Sequence, residues 1–390
     1  MFFILIISFK IARKIRKYSL TLQDMATLQK IVIQDFRNIQ LQELAFSPNI
    51  NCISGGNGEG KTNLLDAIWY LSMTKSAFST SDRYNFRYGT SAFALSGTYT
   101  MPGGTAARFS IRVTDGGQKT VRRDDKPYER ISAHIGVLPI VMVSPADIAM
   151  VSESGEERRK FVNAVLSQME PSYLNGAQQY NRVLLQRNKL LKAGVWDEDL
   201  LSTFDERLAA LAVPIYEQRS SFCERLVPMV QQYYAEISGG RERVGIEYRS
   251  DLQKGDLRET LRTRRDRDQV FKFTTAGVQR DDFLFTMDGH PIRRCGSQGQ
   301  QKSFLVALKF AQYEVMKAGY GYPPVMLLDD LFDKLDMNRV SNLLRLVADQ
   351  EFGQIFLSDS NKVRTGSIVD RLTADRSYFE TAGGVFTPRP

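Results

Sequence analysis

Gly55-Gly56-Asn57-Gly58-Glu59-Gly60-Lys61-Thr62 sets the fold class of this 390-residue chain. The stretch follows the apolar run Asn51-Cys52-Ile53 and leads into Leu64, Leu65, Ile68 and Leu71 at helical spacing. It therefore reads as strand, glycine-rich loop, helix, and it satisfies the GxxxxGK[ST] pattern. The residue types follow from the chemistry. Glycines let backbone N–H groups close around phosphate oxygens at a helix N-terminus, Lys61 reaches the β and γ phosphates, and Thr62 offers a hydroxyl to Mg2+. An α/β fold that binds a nucleotide phosphate is the expectation.

Working outward, Val325-Met326-Leu327-Leu328-Asp329-Asp330 is an apolar strand ending in two carboxylates. In a parallel sheet such a strand delivers its acids to the same edge as the glycine-rich loop, where one holds Mg2+ and the other orients or deprotonates water. Taken alone, paired acids at a strand end also serve as helix caps or surface charges. Ser297-Gln298-Gly299-Gln300-Gln301-Lys302 stands before an apolar helix expected over Ser303 to Tyr313. A serine and glycine opening a helix make a second anion site, or an ordinary N-cap.

Composition narrows the class further. Apolar residues make up 43% of the chain and charged residues 25%, as in a globular protein. Cys52, Cys223 and Cys295 are far apart and only two histidines are present, which fits neither a structural zinc site nor a disulfide framework. A reducing cytoplasm is the expected location. The net charge is +8, but Lys10, Arg13, Lys14, Arg16 and Lys17 against Asp24 place half of it in the first 24 residues. That opening is apolar over Met1 to Phe9, too short for a bilayer span, and its basic block follows the apolar run instead of preceding it. Residues 1–24 read as a disordered extension or as an untranslated stretch ahead of Met25, and no membrane anchor is expected.

Short strands are expected from Met25 to Phe46. Antiparallel hairpins follow, with Phe93, Leu95, Gly97 and Tyr99 alternating up to Pro102-Gly103-Gly104, and Phe109, Ile111 and Val113 up to Asp115-Gly116-Gly117. From Gly155 to about Ile237 the pattern is helical, with Leu200, Phe204, Leu208 and Leu211 on one face and Pro214 and Pro228 expected to break or kink it. The stretch Arg258, Arg262, Arg264, Arg265, Arg267 interleaves with Asp256, Asp266 and Asp268, so a solvated helix face and a nucleic-acid contact stand as equal readings. Strands return after Phe271, with Asp288-Gly289 as a hairpin turn.

The order of these elements resembles the ABC-type ATPase heads of the SMC class, and most closely the RecF recombination-mediator family. Phe36-Arg37-Asn38, Ser144-Pro145-Ala146-Asp147, Gly155-Glu156-Glu157-Arg158-Arg159-Lys160-Phe161, Gln186-Arg187-Asn188 and Arg280-Asp281-Asp282 carry the resemblance to that family, over about residues 27 to 360. It implies an ABC/SMC-type P-loop head with an antiparallel β subdomain (25–144 and 270–390) and a helical arm (145–269). It implies ATP and Mg2+ as cofactors. Arg37, Asn38 and Gly55, Gly56, Asn57, Gly58, Glu59, Gly60, Lys61 and Thr62 would hold the nucleotide in cis, and Thr62 and Asp329 the metal. Asp330 and Lys61 would be catalytic, with Asp330 acting on water. Ser297, Gln298, Gly299, Gln300 and Asp336 would complete the site, Ser297, Gly299 and Gln300 reaching the γ-phosphate of a second subunit.

The implied activity is slow, DNA-stimulated ATP hydrolysis by an ATP-dependent homodimer. Such a dimer would bind double-stranded and gapped DNA and, with RecO and RecR, help RecA load. Arg158, Arg159, Lys160, Arg182, Arg187 and Lys189 are DNA-contact candidates on charge alone. The chain departs from the family pattern at Val278-Gln279, where a proline and histidine are usual, at Asp333-Lys334, and at Leu357-Ser358-Asp359-Ser360. A transport-energising ABC subunit and a phage-defence ATPase coupled to a nuclease are the competing classes. The first calls for a Leu-Ser-Gly-Gly-Gln signature that Ser297-Gln298-Gly299-Gln300 fits poorly, and the second for a further acidic metal-binding domain after Asp336.

Overall fold

A computed structural model describes residues 25–153, 155–194, 197–330, Arg339, 352–360 and 375–389. Residues 1–24, Asp333, Lys334 and Asp336 lie outside the described residues, and the expectations placed on them are not addressed by it.

The alternating runs near the start form an antiparallel sheet. β1 (Thr27–Phe36) pairs with β2 (Ile39–Ala45) and with β4 (Ala92–Thr100), which continues through β5 (Ala106–Thr114) and β6 (Lys119–Arg123) to β7 (Lys126–Pro127). Phe93 faces Val113, Leu95 faces Ile111 and Gly97 faces Phe109 across the first expected hairpin, so the period-2 pattern sets the register.

The second sheet runs β15 (Val385–Arg389), β14 (Arg376–Ala382), β3 (Ile50–Gly55), β13 (Ile355–Asp359), β12 (Val325–Asp329), β8 (Ile140–Val143). All its neighbours are parallel except the β14–β15 hairpin. Its central strands read as unbroken apolar runs because both faces are covered. Along β12, Val325 and Leu327 pack with the antiparallel sheet and with α1 (Lys61–Met73), while Met326 and Leu328 pack with the helices behind. Leu64, Leu65, Ile68 and Leu71 of α1 are fully buried, each contributing roughly 1.5–3 kcal/mol.

Behind the parallel sheet stand α2 (Gly155–Met169), α3 (Pro171–Ala193), α4 (Glu198–Ser238) and α5 (Gln298–Tyr320). A third sheet, β11 (His290–Pro291), β10 (Asp282–Met287), β9 (Val244–Arg249), has its hairpin turn at Asp288-Gly289, where both residues take positive φ. It pairs a strand from the 145–269 segment with one from the chain that follows.

Three local expectations are corrected. α4 is one 41-residue helix through Pro214 and Pro228; each proline lacks one N–H, and the helix is held across them by buried Ala212, Ile215, Phe222, Leu226 and Val230. Of the apolar stripe expected on it, Leu208 is fully buried and Phe204 and Leu211 pack partly buried against the core, joined there by Leu201, Asp205, Ala212 and Ile215, whereas Leu200 is left exposed. α5 begins at Gln298 instead of Ser303, because Ser297 and Gln300 form a reciprocal capping box.

The charged motifs of the arm are structural. Arg187 is fully buried: its Nε donates to Asp205 at 2.8 Å, and one terminal nitrogen to Asp268 at 2.7 Å and Thr274 at 2.9 Å. Arg158 forms a two-pronged pair with Asp282 at 2.8 and 3.1 Å, and Arg219 joins Asp281 at 2.5 Å. Lys160 is held by Glu156 and Glu157. Arg158 and Arg187 are therefore not DNA contacts, whereas Arg182 and Lys189 are exposed. In the basic stretch, Arg258, Arg262, Arg264 and Arg265 pair with Glu206, Glu259, Asp251 and Asp205, which favours an internally neutralised face over a polyanion contact for those four.

Arg187→Ala leaves Asp205 and Asp268 buried against a missing cation, so unfolding should show a loss of about 3–5 kcal/mol; a loss near that of an exposed pair, below about 1 kcal/mol, would contradict the buried network. His134 is buried with Nε2 2.6 Å from the Leu71 carbonyl oxygen, and burial pushes its pKa below the ordinary value. The unfolded chain then takes up the proton first, so this contribution to stability is complete above about pH 6.5 and is lost as pH falls below it. Thermal unfolding of the wild type should steepen below that pH more than that of His134→Gln, and parallel curves would refute the assignment.

Candidate nucleotide site

The glycine-rich loop leaves β3 at Gly55 and enters α1 at Lys61, at the C-terminal edge of the parallel sheet. Gly60 sits at φ 109°, a conformation only glycine adopts without strain, and a Cβ there would come within 2.9 Å of the Asn38 amide. That contact brings Asn38, at the β1–β2 turn, against the loop, where its Oδ1 also accepts from Asn63 at 2.8 Å. Gly58 is likewise at positive φ and opens onto free space.

Lys61 is 5% exposed and its Nζ donates to the Gly55 and Gly56 carbonyl oxygens, each at 2.9 Å. Its ammonium therefore closes over the mouth of the loop on neutral acceptors, which suits a residue that exchanges them for phosphate oxygens. Thr62 Oγ1 donates to Asp329 Oδ2 at 2.9 Å, and Ser358 Oγ to Asp329 Oδ1 at 2.5 Å. Register explains the meeting: β12 and β13 are neighbours in the sheet, Asp329 stands opposite Ser358, and Ser358 stands opposite Ile53 of β3. Asp329 is buried, and burial pushes its carboxyl above the usual range, with Asp330 adding to the rise against the two hydroxyl hydrogen bonds.

These residues fit a hydrated Mg2+ on a nucleotide. A buried carboxylate beside a threonine hydroxyl is a hard oxygen pair, and magnesium commonly takes one or two such protein ligands with phosphates and waters completing its shell. Among the described residues no cluster of three or more histidine, cysteine or acidic side chains is found.

Asp330 follows at φ 43°, unusual for a non-glycine residue, and its N–H donates to the Ser358 carbonyl at 3.2 Å. The left-handed backbone at Asp330 follows directly on the last residue of β12. Lys302, in the first turns of α5, donates to the Asp330 carbonyl at 3.5 Å and ties the Ser297–Lys302 segment to the same edge. Ser297 caps α5 by accepting from Gln300 N–H at 3.3 Å. The Gln300 amide is engaged within the chain, accepting from Ser297 N–H and donating to Glu242, both at 2.7 Å. The Gln298 and Gly299 N–H groups have no acceptor among the described residues.

Arg37 takes positive φ and directs its guanidinium to Asp66 at 2.7 Å, Ser76 at 2.9 Å and Asn63 at 3.4 Å. It thus braces the underside of α1. Sequence reasoning missed Asp66 and missed the far end of the chain. Thr381 Oγ1 donates to the Glu59 carbonyl at 2.9 Å, Gly384 N–H to the same oxygen at 3.0 Å, and Gly383 N–H to the Glu59 carboxylate. The β14–β15 turn therefore grips the loop at Glu59. The Gly383-Gly384 pair was the only signal for it, and a turn is all that signal gives. Gln279, at one of the departures from the family pattern, accepts from Tyr180 and donates to the Ala276 carbonyl at 2.6 Å in the arm.

Comparison with known proteins agrees with this geometry. Residues 30–193 match the family model described as an AAA domain. The DNA replication and repair protein RecF of Phocaeicola vulgatus is 38% identical over 93% of this chain and 98% of its own length. That of Bacteroides thetaiotaomicron is also 38% identical, over 92% and 97%. A solved structure of the recombination mediator protein RecF with ATP, in the RecFOR pathway, superposes with a TM-score of 0.85 at 28% identity, covering 94% of this chain and 98% of that one. The Smc head domain of Pyrococcus furiosus shares the fold, with a TM-score of 0.56 at 14% identity over 94% and 96%. The phosphate loop, the acid-ended strand and the full-length similarity together place this chain in the RecF family.

Proposed function

We propose that this chain is an ATP-dependent recombination mediator: a head that dimerises around two ATP molecules, holds double-stranded and gapped DNA in that state, and releases it on slow, DNA-stimulated hydrolysis. The observation that carries the reading is the Thr62–Asp329–Ser358 bridge beside the glycine-rich loop, which sets a threonine hydroxyl and a buried carboxylate at a single point on the sheet edge. In the reading, the loop amides from Gly55 to Gly60 and Lys61 hold the phosphates, with Asn38 and Glu59 fixing the loop. Bound there, Mg2+ would neutralise charge building on the β and γ phosphates, with Thr62 and Asp329 as its protein ligands. Asp330, next to Asp329 at the end of β12, orients the attacking water and takes its proton. Arg37 acts by bracing α1.

The second half of the site comes from another subunit. Ser297 has a hydroxyl proton to give, and the Gln298 and Gly299 N–H groups are unspent in this chain, so the start of α5 is furnished to cap a γ-phosphate held by a partner. Gln300 contributes through the capping box, and Asp336 stays a proposed cross-dimer residue. DNA affinity arises from lysine and arginine contacts to phosphates and falls with salt, without base readout. The similarity to RecF of the RecFOR pathway supports RecO and RecR as partners; RecA loading as the outcome and the cytoplasm as the location complete the proposal. Among the described residues no helix is long and apolar enough to cross a membrane.

Two substitutions test the reading. Lys61→Met should lower ATP affinity by about 100-fold or more in a nucleotide-binding titration and abolish any gain in duplex-DNA affinity caused by Mg-ATP; unchanged ATP affinity would remove the phosphate-loop assignment. Asp330→Asn should slow hydrolysis by about 10²-fold or more while ATP-dependent DNA binding persists. A hydrolysis rate within a few-fold of wild type would reassign the role of Asp330.

A further inference from the structure

A pocket of about 510 Å³ opens on the arm, away from the glycine-rich loop, between β9, the Asp251–Lys254 turn and the helix Arg265–Phe271. Its lining is strongly basic. Arg249 and Arg264 are paired with Glu247 and Asp251, whereas Lys254, Arg267 and Arg280 are exposed and have no acidic partner among the described residues. The Arg267 guanidinium lies over the Phe271 ring, 5.5 Å from its centroid, and Phe273 stands 5.8 Å from Phe271. Phe271 and Phe273 are 52% and 39% exposed, and Val270 beside them 78%.

Exposed rings on a floppy tip would carry little meaning, but this loop is pinned. Thr274 N–H and Oγ1 both donate to Asn188 Oδ1 at 2.7 Å, and Thr275 N–H and Oγ1 donate to Asp268 at 2.8 and 2.6 Å. Asp268 and Thr274 are in turn bound by buried Arg187. The rings thus stand exposed on an anchored loop, with Arg267, which lies over Phe271, also lining the pocket that Lys254 and Arg280 share.

We propose that this patch binds single-stranded DNA, with phosphates in the Lys254–Arg267–Arg280 pocket and bases stacked on Phe271 and Phe273. Aromatic faces beside a basic groove bind single strands because every base has a π face, whereas a duplex keeps its base faces stacked inside. The inference rests on the DNA-binding reading above and adds how a head that grips duplex could select the single-stranded side of a junction.

The test is fluorescence anisotropy with the full chain, using a labelled oligothymidylate of about 16 nucleotides and a blunt duplex of the same length, with and without Mg-ATP. Phe271→Ala/Phe273→Ala and Lys254→Glu/Arg280→Glu should each weaken oligothymidylate binding about tenfold and change duplex binding less than about twofold. Equal losses on both probes, or none on either, overturn the proposal. Polyglutamate that displaces oligothymidylate from the wild type but not from the charge-reversed variant would assign the patch to an acidic protein and overturn it too. Phe271→Trp provides a readout that does not depend on a truncated loop: its emission should be quenched as oligothymidylate saturates, and constant emission refutes stacking. The duplex arm with ATP reports separately on the clamp, since loss of ATP dependence there with single-strand binding intact would fault that reading alone.

Discussion

Asp329 is a buried carboxylate held between two hydroxyls, Thr62 at 2.9 Å and Ser358 at 2.5 Å, and the nucleotide edge of the molecule depends on it. The three residues come from α1, β12 and β13, so they meet only if the parallel sheet has its observed order and register. A buried acid without a full counter-charge is costly, and its carboxyl is pushed upward accordingly. A cation bound beside Asp329 would offset that cost. The strained backbone of Asp330, the next residue, belongs to the same turn.

Around this bridge, rigidity is supplied from distant parts of the chain. The β14–β15 turn closes on Glu59 from the far end of the sequence, Asn38 packs on Gly60 from the β1–β2 turn, and Arg37 braces α1 through Asp66. The arm shows the same principle. Several of the motif residues that mark the family are spent on buried or half-buried pairs: Arg158 with Asp282 ties α2 to the third sheet, Asp281 beside that sheet pairs with Arg219 of α4, and Arg187 ties α3 to α4 and to the helix Arg265–Phe271. Buried pairs of this kind specify one arrangement more than they add net stability.

The glycine-rich loop, its strand and helix, the hairpins and the acid-ended strand were legible because each is a local pattern: a spacing, an alternation or a turn signal. What was not legible depends on long-range partners. Charge alone offered Arg187 as a surface contact, and only the placement of Asp205 and Asp268 shows it to be buried. Pro214 and Pro228 signalled a break or a kink, and packing of α4 carries the helix through both without a break. The apolar residues after Ser303 pointed to the helix correctly, but its true start lies in a capping box whose serine and glutamine also suit a phosphate-binding turn. The grip on Glu59 had no sequence signal beyond a turn.

The central claim is that the exposed start of α5 completes a nucleotide site across two subunits. Light scattering of the purified 44.3 kDa chain, with and without Mg-ATP, tests it most directly. The account predicts a mass that doubles with ATP and returns to the monomer value as the nucleotide is hydrolysed. A chain that binds ATP to saturation and keeps its monomer mass would contradict it.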